Sequence, residues 1–190
     1  MADINSDGYL LGQLLVAMPT MRDPRFTRSV IFVCAHNAEG AMGLVVNRLV
    51  GSLTFPDLLA QLEIPRSEVG RDIRVHFGGP VDTGRGFVLH SPDYSDDGTM
   101  MIDERVGLTA SLDILRDIAS GGGPRQSLLA LGYAGWGPGQ LDMEIQANGW
   151  LSAPPDDALL FDARLDDKWK RAIAKLGVRS EHLSGEAGHA

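Results

Sequence analysis

Cysteine is nearly absent: Cys34 stands alone among 190 residues, which excludes an intramolecular disulfide and any cysteine-rich zinc or iron–sulfur site. A reducing compartment suits such a chain. The most apolar early segment, Leu10 to Met18, is too short to cross a bilayer, and Asp3 and Asp7 precede it where a signal peptide would carry positive charge. The cytoplasm is therefore the expected location, with no membrane partner. Basic residues are also in deficit, 17 Lys and Arg against 25 Asp and Glu for a formal charge of −8. Such a net field repels polyphosphate and argues against direct nucleic-acid binding. Low complexity is missing too, since 23 Gly and 10 Pro stay below the roughly 25–30% that marks it. What remains, 44% hydrophobic and 22% charged, is the balance of one soluble domain able to bury about 70% of its unfolded surface.

The elements follow from local chemistry. Ser29 to His36 is apolar and β-branched at nearly every position, as a strand buried on both faces requires. Asn37-Ala38-Glu39-Gly40 reads as its turn and Gly43 to Asn47 as the returning strand of a hairpin. Thr54 can cap a helix with Pro56 in its first turn and Leu58, Leu59 and Leu62 on one face, stopping before Pro65. Further strands are expected at Ile73 to Phe77, Phe87 to His90 and Thr99 to Ile102, the last following an Asp96-Asp97-Gly98 turn. Thr109 is the expected cap of a second helix carrying Leu112, Leu115, Ile118 and Ala119, halted by Gly121-Gly122-Gly123-Pro124. A strand Ser127 to Gly132 then leads through a glycine-rich turn into a helix Gln140 to Asn148, closed by a left-handed Gly149. A final helix, Asp166 to Leu176, ends at Gly177, and residues 179–190 read as a tail to a domain of 1–178. Strands and helices mixed in this order predict a single α/β or α+β domain.

Few motifs carry chemistry. The run Gly132-Tyr133-Ala134-Gly135-Trp136-Gly137-Pro138-Gly139-Gln140 has a phosphate loop's strand–turn–helix setting, but its spacing fits neither nucleotide fingerprint and Pro138 removes a donor. A tight crossover with Trp136 packed over the sheet is the simpler reading. Gly78-Gly79 with Arg85 could form an anion nest, or a plain turn with Arg85 solvated or paired to Asp82. Alternation places Phe32, Cys34 and His36 on one side of their strand, so a thiolate–imidazole pair is conceivable, though a buried structural cysteine is the better account. Asp93, Asp96 and Asp97 read as a solvated acidic turn, and Gln140, Glu144 and Asn148 as the wet stripe of a helix or, following the loop with Tyr133 and Trp136, a ligand or partner surface. No catalytic, metal-binding or cofactor set emerges.

Several blocks together resemble the bacterial YqgE/AlgH family: Ala17-Met18-Pro19, Asp23-Pro24-Arg25-Phe26, Arg28-Ser29-Val30, His36, Gly40 to Asn47, Gly78 to Val81, Arg85 to His90, Gly132 to Trp136, Gly139-Gln140-Leu141, Glu144-Ile145, Asn148 with Trp150, and the closing Gly188-His189-Ala190. Asp142 stands where that family's pattern has Glu. The resemblance implies a compact domain around a bifurcated mixed sheet with helices outside. Members carry the label of transcriptional regulators, because one was linked to alginate production, without a defined reaction, ligand or DNA site. With the charge reading, this implies regulation through a protein partner or small anionic ligand. The alternative is a small enzyme or phosphate- or nucleotide-binding module with a Gly/Arg/His cleft. Strand ends on one edge of a sheet are where α/β folds place ligands. The candidate ligand residues are therefore Asp23, Arg28, His36, Asn47, Gly78, Gly79, Arg85, His90, Tyr133, Trp136 and Gln140, expected to converge on one cleft.

Overall fold

The computed structural model describes residues 9–162 and 164–176; the Gly177 stop, the 179–190 tail and the closing Gly188-His189-Ala190 block lie outside them. In chain order the strands are β1 Leu14–Ala17, β2 Val30–Asn37, β3 Gly40–Val45, β4 Leu49–Thr54, β5 Arg74–Phe77, β6 Val81–His90, β7 Thr99–Met101, β8 Gly107–Thr109, β9 Ser127–Trp136 and β10 Trp150–Ala153. The helices are α1 Phe55–Gln61, α2 Leu112–Ala119, α3 Gln140–Gln146, α4 Asp157–Phe161 and α5 Lys168–Lys175. Eight strands follow the path β10-β1-β2-β3-β9-β6-β8-β7, and β4–β5 branches from it at β9. One edge of β9 is shared: Leu129–Leu131 pairs in parallel with β5, whereas Ala134–Trp136 pairs antiparallel with β3. The sheet is thus mixed and bifurcated, in a domain of α+β class.

Burial on both faces explains the apolar strands. On β1, Leu14 and Val16 enter one core with Phe32, Leu44, Phe87 and Leu89, closed by Leu159 and Leu160 of α4 and Trp169 and Ile173 of α5. Leu15 and Ala17 point the other way, to Ile31, Val33, Trp136, Trp150 and Leu141 of α3. A third cluster packs α1 and α2 on Val75, Val88 and Leu129. Thr54 caps α1 as its sequence predicts, within a capping box completed by Asp57.

Local signals mislead at four points. The cap of α2 is Ser111, not Thr109; Thr109 ends an unpredicted strand, β8, its hydroxyl 2.7 Å from Nε2 of His90. The left-handed residue after α3 is Asn148 (φ 59), not Gly149. The glycines of Gly132 to Gly135 lie within β9, which continues to Trp136 before turning. Finally, the β2–β3 register shifts between Val33 and Ala35. One extra residue reverses the facing of every later side chain. Phe32 and Cys34 consequently share a core, while His36 turns to the opposite face, beside Leu10 and Asp142. No thiolate–imidazole pair forms.

Buried His76 on β5 lies with Nδ1 3.1 Å from the Leu129 carbonyl. Burial, with the charge of Lys168 contributing, holds its pKa down at about 4. Its unfolded value is about 6.5, so its contribution is complete above pH 6.5 and is lost as pH falls through 4. Urea titrations should find about 3 kcal/mol less stability from this group at pH 4 than at pH 7. His76→Gln should flatten that part of the profile.

Candidate functional site

A groove of about 560 Å³ opens over the exposed end of the curled sheet, between the β2–β3 hairpin, β6 and β9. Small residues, Ala35 and Gly135, line it together with Met42, Phe87, Tyr133 and one carboxylate, Glu39. Tyr133 meets Phe87 edge-on at 6.0 Å. The Arg85 guanidinium lies 5.1 Å over the Phe87 ring. It reaches this place because five residues of β6, Val81 to Arg85, span only two of β9 before pairing resumes at Gly86. Asp82 takes the left-handed region in that bulge (φ 51). Among the described residues Arg85 has no carboxylate partner, Asp82 included.

Val81, Gly135 and Trp136 also line a second pocket of about 310 Å³, where Asp23, Phe26, Gln140 and Glu144 stand. Here one member of the α3 stripe, Glu144, turns inward, while Gln140 and Asn148 stay exposed. Oε1 of Glu144 accepts from the indole N–H groups of both Trp136 (3.3 Å) and Trp150 (3.1 Å). Oε1 of Gln140 accepts from the Gly137 N–H at 2.9 Å, closing the turn that leads to the left-handed Gly139. Asp23 is held in a two-pronged pair by Arg25, Nε to Oδ1 at 3.0 Å and Nη2 to Oδ2 at 2.7 Å. That hydrogen bonding keeps its carboxyl below the usual range.

Asp23, Arg85, Tyr133, Trp136 and Gln140 therefore come together. Gly78 and Gly79 brace the site from behind: the Gly78 N–H donates to Leu131 and its carbonyl accepts from Val45, both at 2.8 Å. With its donor in the ladder, Gly78 cannot contribute to an anion nest. His36 accepts through Nδ1 from the Leu10 N–H at 2.9 Å, behind the hairpin. His90 is fully buried, donating through Nδ1 to the Ser91 carbonyl (2.8 Å), with Nε2 left for Thr109. Arg28 and Asn47 line a separate pocket beside Trp169. The single expected cleft thus divides in two, with His90 in neither.

Gly135 and Glu144 figure in the sequence motifs but not in the candidate set, and Arg48 figures in neither. Gly135 sits mid-strand, where glycine marks close approach; the i, i+4 repeat of Gln140 and Glu144 was visible, but its direction was not. Arg48, whose guanidinium donates to the carbonyls of Pro24, Arg25 and Thr27, had no local signature. Other candidates are structural. Cys34 is 1% exposed and burial pushes its thiol up to about 12. Asp93 and Asp96 accept from Ser91 and Ser111. Among the described residues no helix is long and apolar enough to cross a membrane.

Known proteins place this architecture. The AlgH-like family profile matches residues 14–181. A UPF0301 protein of Rhodospirillum rubrum is 54% identical over 184 residues, covering 97% of this chain and 96% of its own. One from Bradyrhizobium diazoefficiens is 56% identical over 98% and 91%. The solution structure of AlgH from Pseudomonas aeruginosa superposes with a TM-score of 0.79 at 43% identity, covering 97% of this chain and 98% of that one. A Corynebacterium diphtheriae crystal structure, 20% identical, shares the fold with a TM-score of 0.73 over 91% of this chain and 90% of its own. On its sequence and its branched sheet alike, the chain belongs to the AlgH-like family.

Proposed function

We propose that this protein is a regulatory binding module without turnover, acting in the cytoplasm. Its groove takes an anionic group, from a small ligand or an acidic segment of a protein partner, against Arg85. The observation that carries this reading is Gly135. Its φ is not positive, and an added Cβ would meet nothing nearer than the Tyr133 ring at 3.4 Å. The fold does not need glycine there, whereas an added Cβ at Gly78 would lie 2.3 Å from the Gly132 carbonyl oxygen. A bare backbone lining beside an unpaired guanidinium suits a flat or extended ligand that ends in a carboxylate or phosphate. Cys34, His36 and His90, which could supply nucleophile or base chemistry, all make internal contacts instead, which favours binding over turnover.

Gly135→Val and Arg85→Ala test this. Both should fold, within about 1 kcal/mol of the parent in urea, since surface changes rarely cost more. Both should lose proteins captured from lysate by the parent chain and the amide NMR shifts that benzoate induces at Tyr133, Gly135 and Arg85. Unchanged capture and unchanged benzoate shifts would defeat the reading. So would tight, sequence-dependent binding to duplex DNA.

A further inference from the structure

We propose that the pocket between Arg28 and Trp169 is a second binding site, specific for a phosphate-class anion and independent of the Gly135 groove. The pocket, about 180 Å³, presents three cationic side chains, Arg28, Arg48 and Lys170, against one carboxylate, Asp166. This local excess of positive charge stands in a chain whose formal charge is −8. Among the described residues neither Arg28 nor Lys170 has an ion-pair partner.

The pocket is also built in advance. The Arg28 guanidinium rests 5.1 Å over the Trp169 ring, which limits its rotamers while leaving its edge donors open. Arg48 is anchored by three backbone carbonyls, fewer than its five N–H donors can serve. Asn47 fixes the backbone beneath: its Nδ2 donates to the Arg28 carbonyl at 2.9 Å and its Oδ1 accepts from the Val30 N–H at 3.0 Å. Arg28 itself has φ 55, a region an L-residue enters at a cost and glycine enters freely. A left-handed residue on a pocket wall is the kind of backbone outlier that gathers at binding sites. The Arg28 guanidinium fork, the remaining Arg48 donors and an ammonium around a space of this size match the several oxygens of one phosphoryl group better than a single carboxylate.

The backbone conformation supplies a fold-safe variant. Arg28→Gly removes the guanidinium and relieves the left-handed strain, so it should be at least as stable as the parent in urea. Inorganic phosphate, titrated against chloride at matched ionic strength, should give saturable NMR shifts at the Trp169 indole N–H and the amides of Arg28, Asn47 and Lys170. Arg28→Gly should weaken phosphate about tenfold or more, as expected for loss of a charge-assisted donor group. Asp166→Asn should tighten it, and Arg85→Ala should leave it unchanged. Phenyl phosphate binding at least as tightly as phosphate would identify a phosphomonoester as the ligand class; binding of phosphate alone would identify the free anion. Shifts that fail to saturate, that chloride reproduces, or that persist in Arg28→Gly would overturn the site.

Discussion

Gly79→Ala is expected to destabilise the protein by about 3–5 kcal/mol, a large part of the 5–15 kcal/mol that holds a typical domain together. Two costs combine. The Gly79 backbone has φ 155, and a Cβ there would lie 2.1 Å from the Tyr133 carbonyl carbon and 2.3 Å from the Ala134 nitrogen. Those atoms are backbone within β9 and cannot rotate aside. Gly135→Ala, two residues beyond Tyr133 on β9, should instead shift stability by less than about 1 kcal/mol, because its Cβ makes only ordinary contacts, the nearest at 3.4 Å to the Tyr133 ring, and its φ suits any residue. Urea denaturation of both variants separates a glycine that the packing needs from one that the groove uses. Equal losses would mean that Gly135 is structural after all.

Between pH 8 and pH 10 one buried group should add stability as the pH rises, opposing Cys34, whose buried thiol keeps its proton while that of the unfolded chain ionises. That group is Lys168, which has no exposed surface and donates to the carbonyls of Val46 at 2.9 Å and Leu160 at 3.1 Å. Burial, reinforced by the charges of Arg171 and Arg74 and opposed by Asp162, brings its pKa down to about 8. A lysine in the unfolded chain titrates near 10.4. Below pH 8 both states carry the proton and the folded state bears the full cost of a buried ammonium. Between about 8 and 10.4 the unfolded chain binds more protons, so folding gains with pH, by up to about 3 kcal/mol. The neutral amine retains two hydrogens for its two carbonyl partners, so its contacts survive the change. Comparing urea stability of the parent and Lys168→Met at pH 7, 8, 9 and 10 isolates this group. A parent-minus-variant difference that does not move with pH would refute the assignment.

Where a residue's fate depends on its neighbours in the chain, the sequence was informative. The apolar run of β2 and the Thr54–Asp57 box of α1 are short-range chemistry, and both were legible. The facing of His36 depends on a bulge against β3, which no feature between Ser29 and His36 announces. Thr109 and Ser111 are equally good caps in isolation; the pairing of β8 with β6 and β7 decides between them. Gly132 reads as the end of a strand, yet β9 runs on to Trp136, and the missing Cβ at Gly132 lets the strand pass the Gly79 carbonyl, 2.4 Å from where that Cβ would stand. For the site, residues on β6, β9 and α3 could be gathered because they share a strand-end pattern. Arg28 and Asn47 carried the same signature, but the turns before β2 and after β3 present it beside α5 instead, a separation set by topology alone.

The sharing of one edge of β9 has a consequence for how the chain can be made. Residues 127–136 complete pairings with segments near 41–43, 75–77 and 81–90, and β1 waits still longer for β10 at 150–153. A nascent chain emerging at about 5–20 residues per second therefore holds the β2–β3 hairpin and β6 without their common neighbour until more than two thirds of it has been synthesised. Those apolar strands must remain unpaired at their inner edges throughout that interval, and dependence on such distant pairings slows folding. Ribosome-bound chains stopped before residue 127 should be protease-sensitive along their whole exposed length, and protection should begin as β9 clears the exit tunnel and be complete only after β10 and α5 have followed.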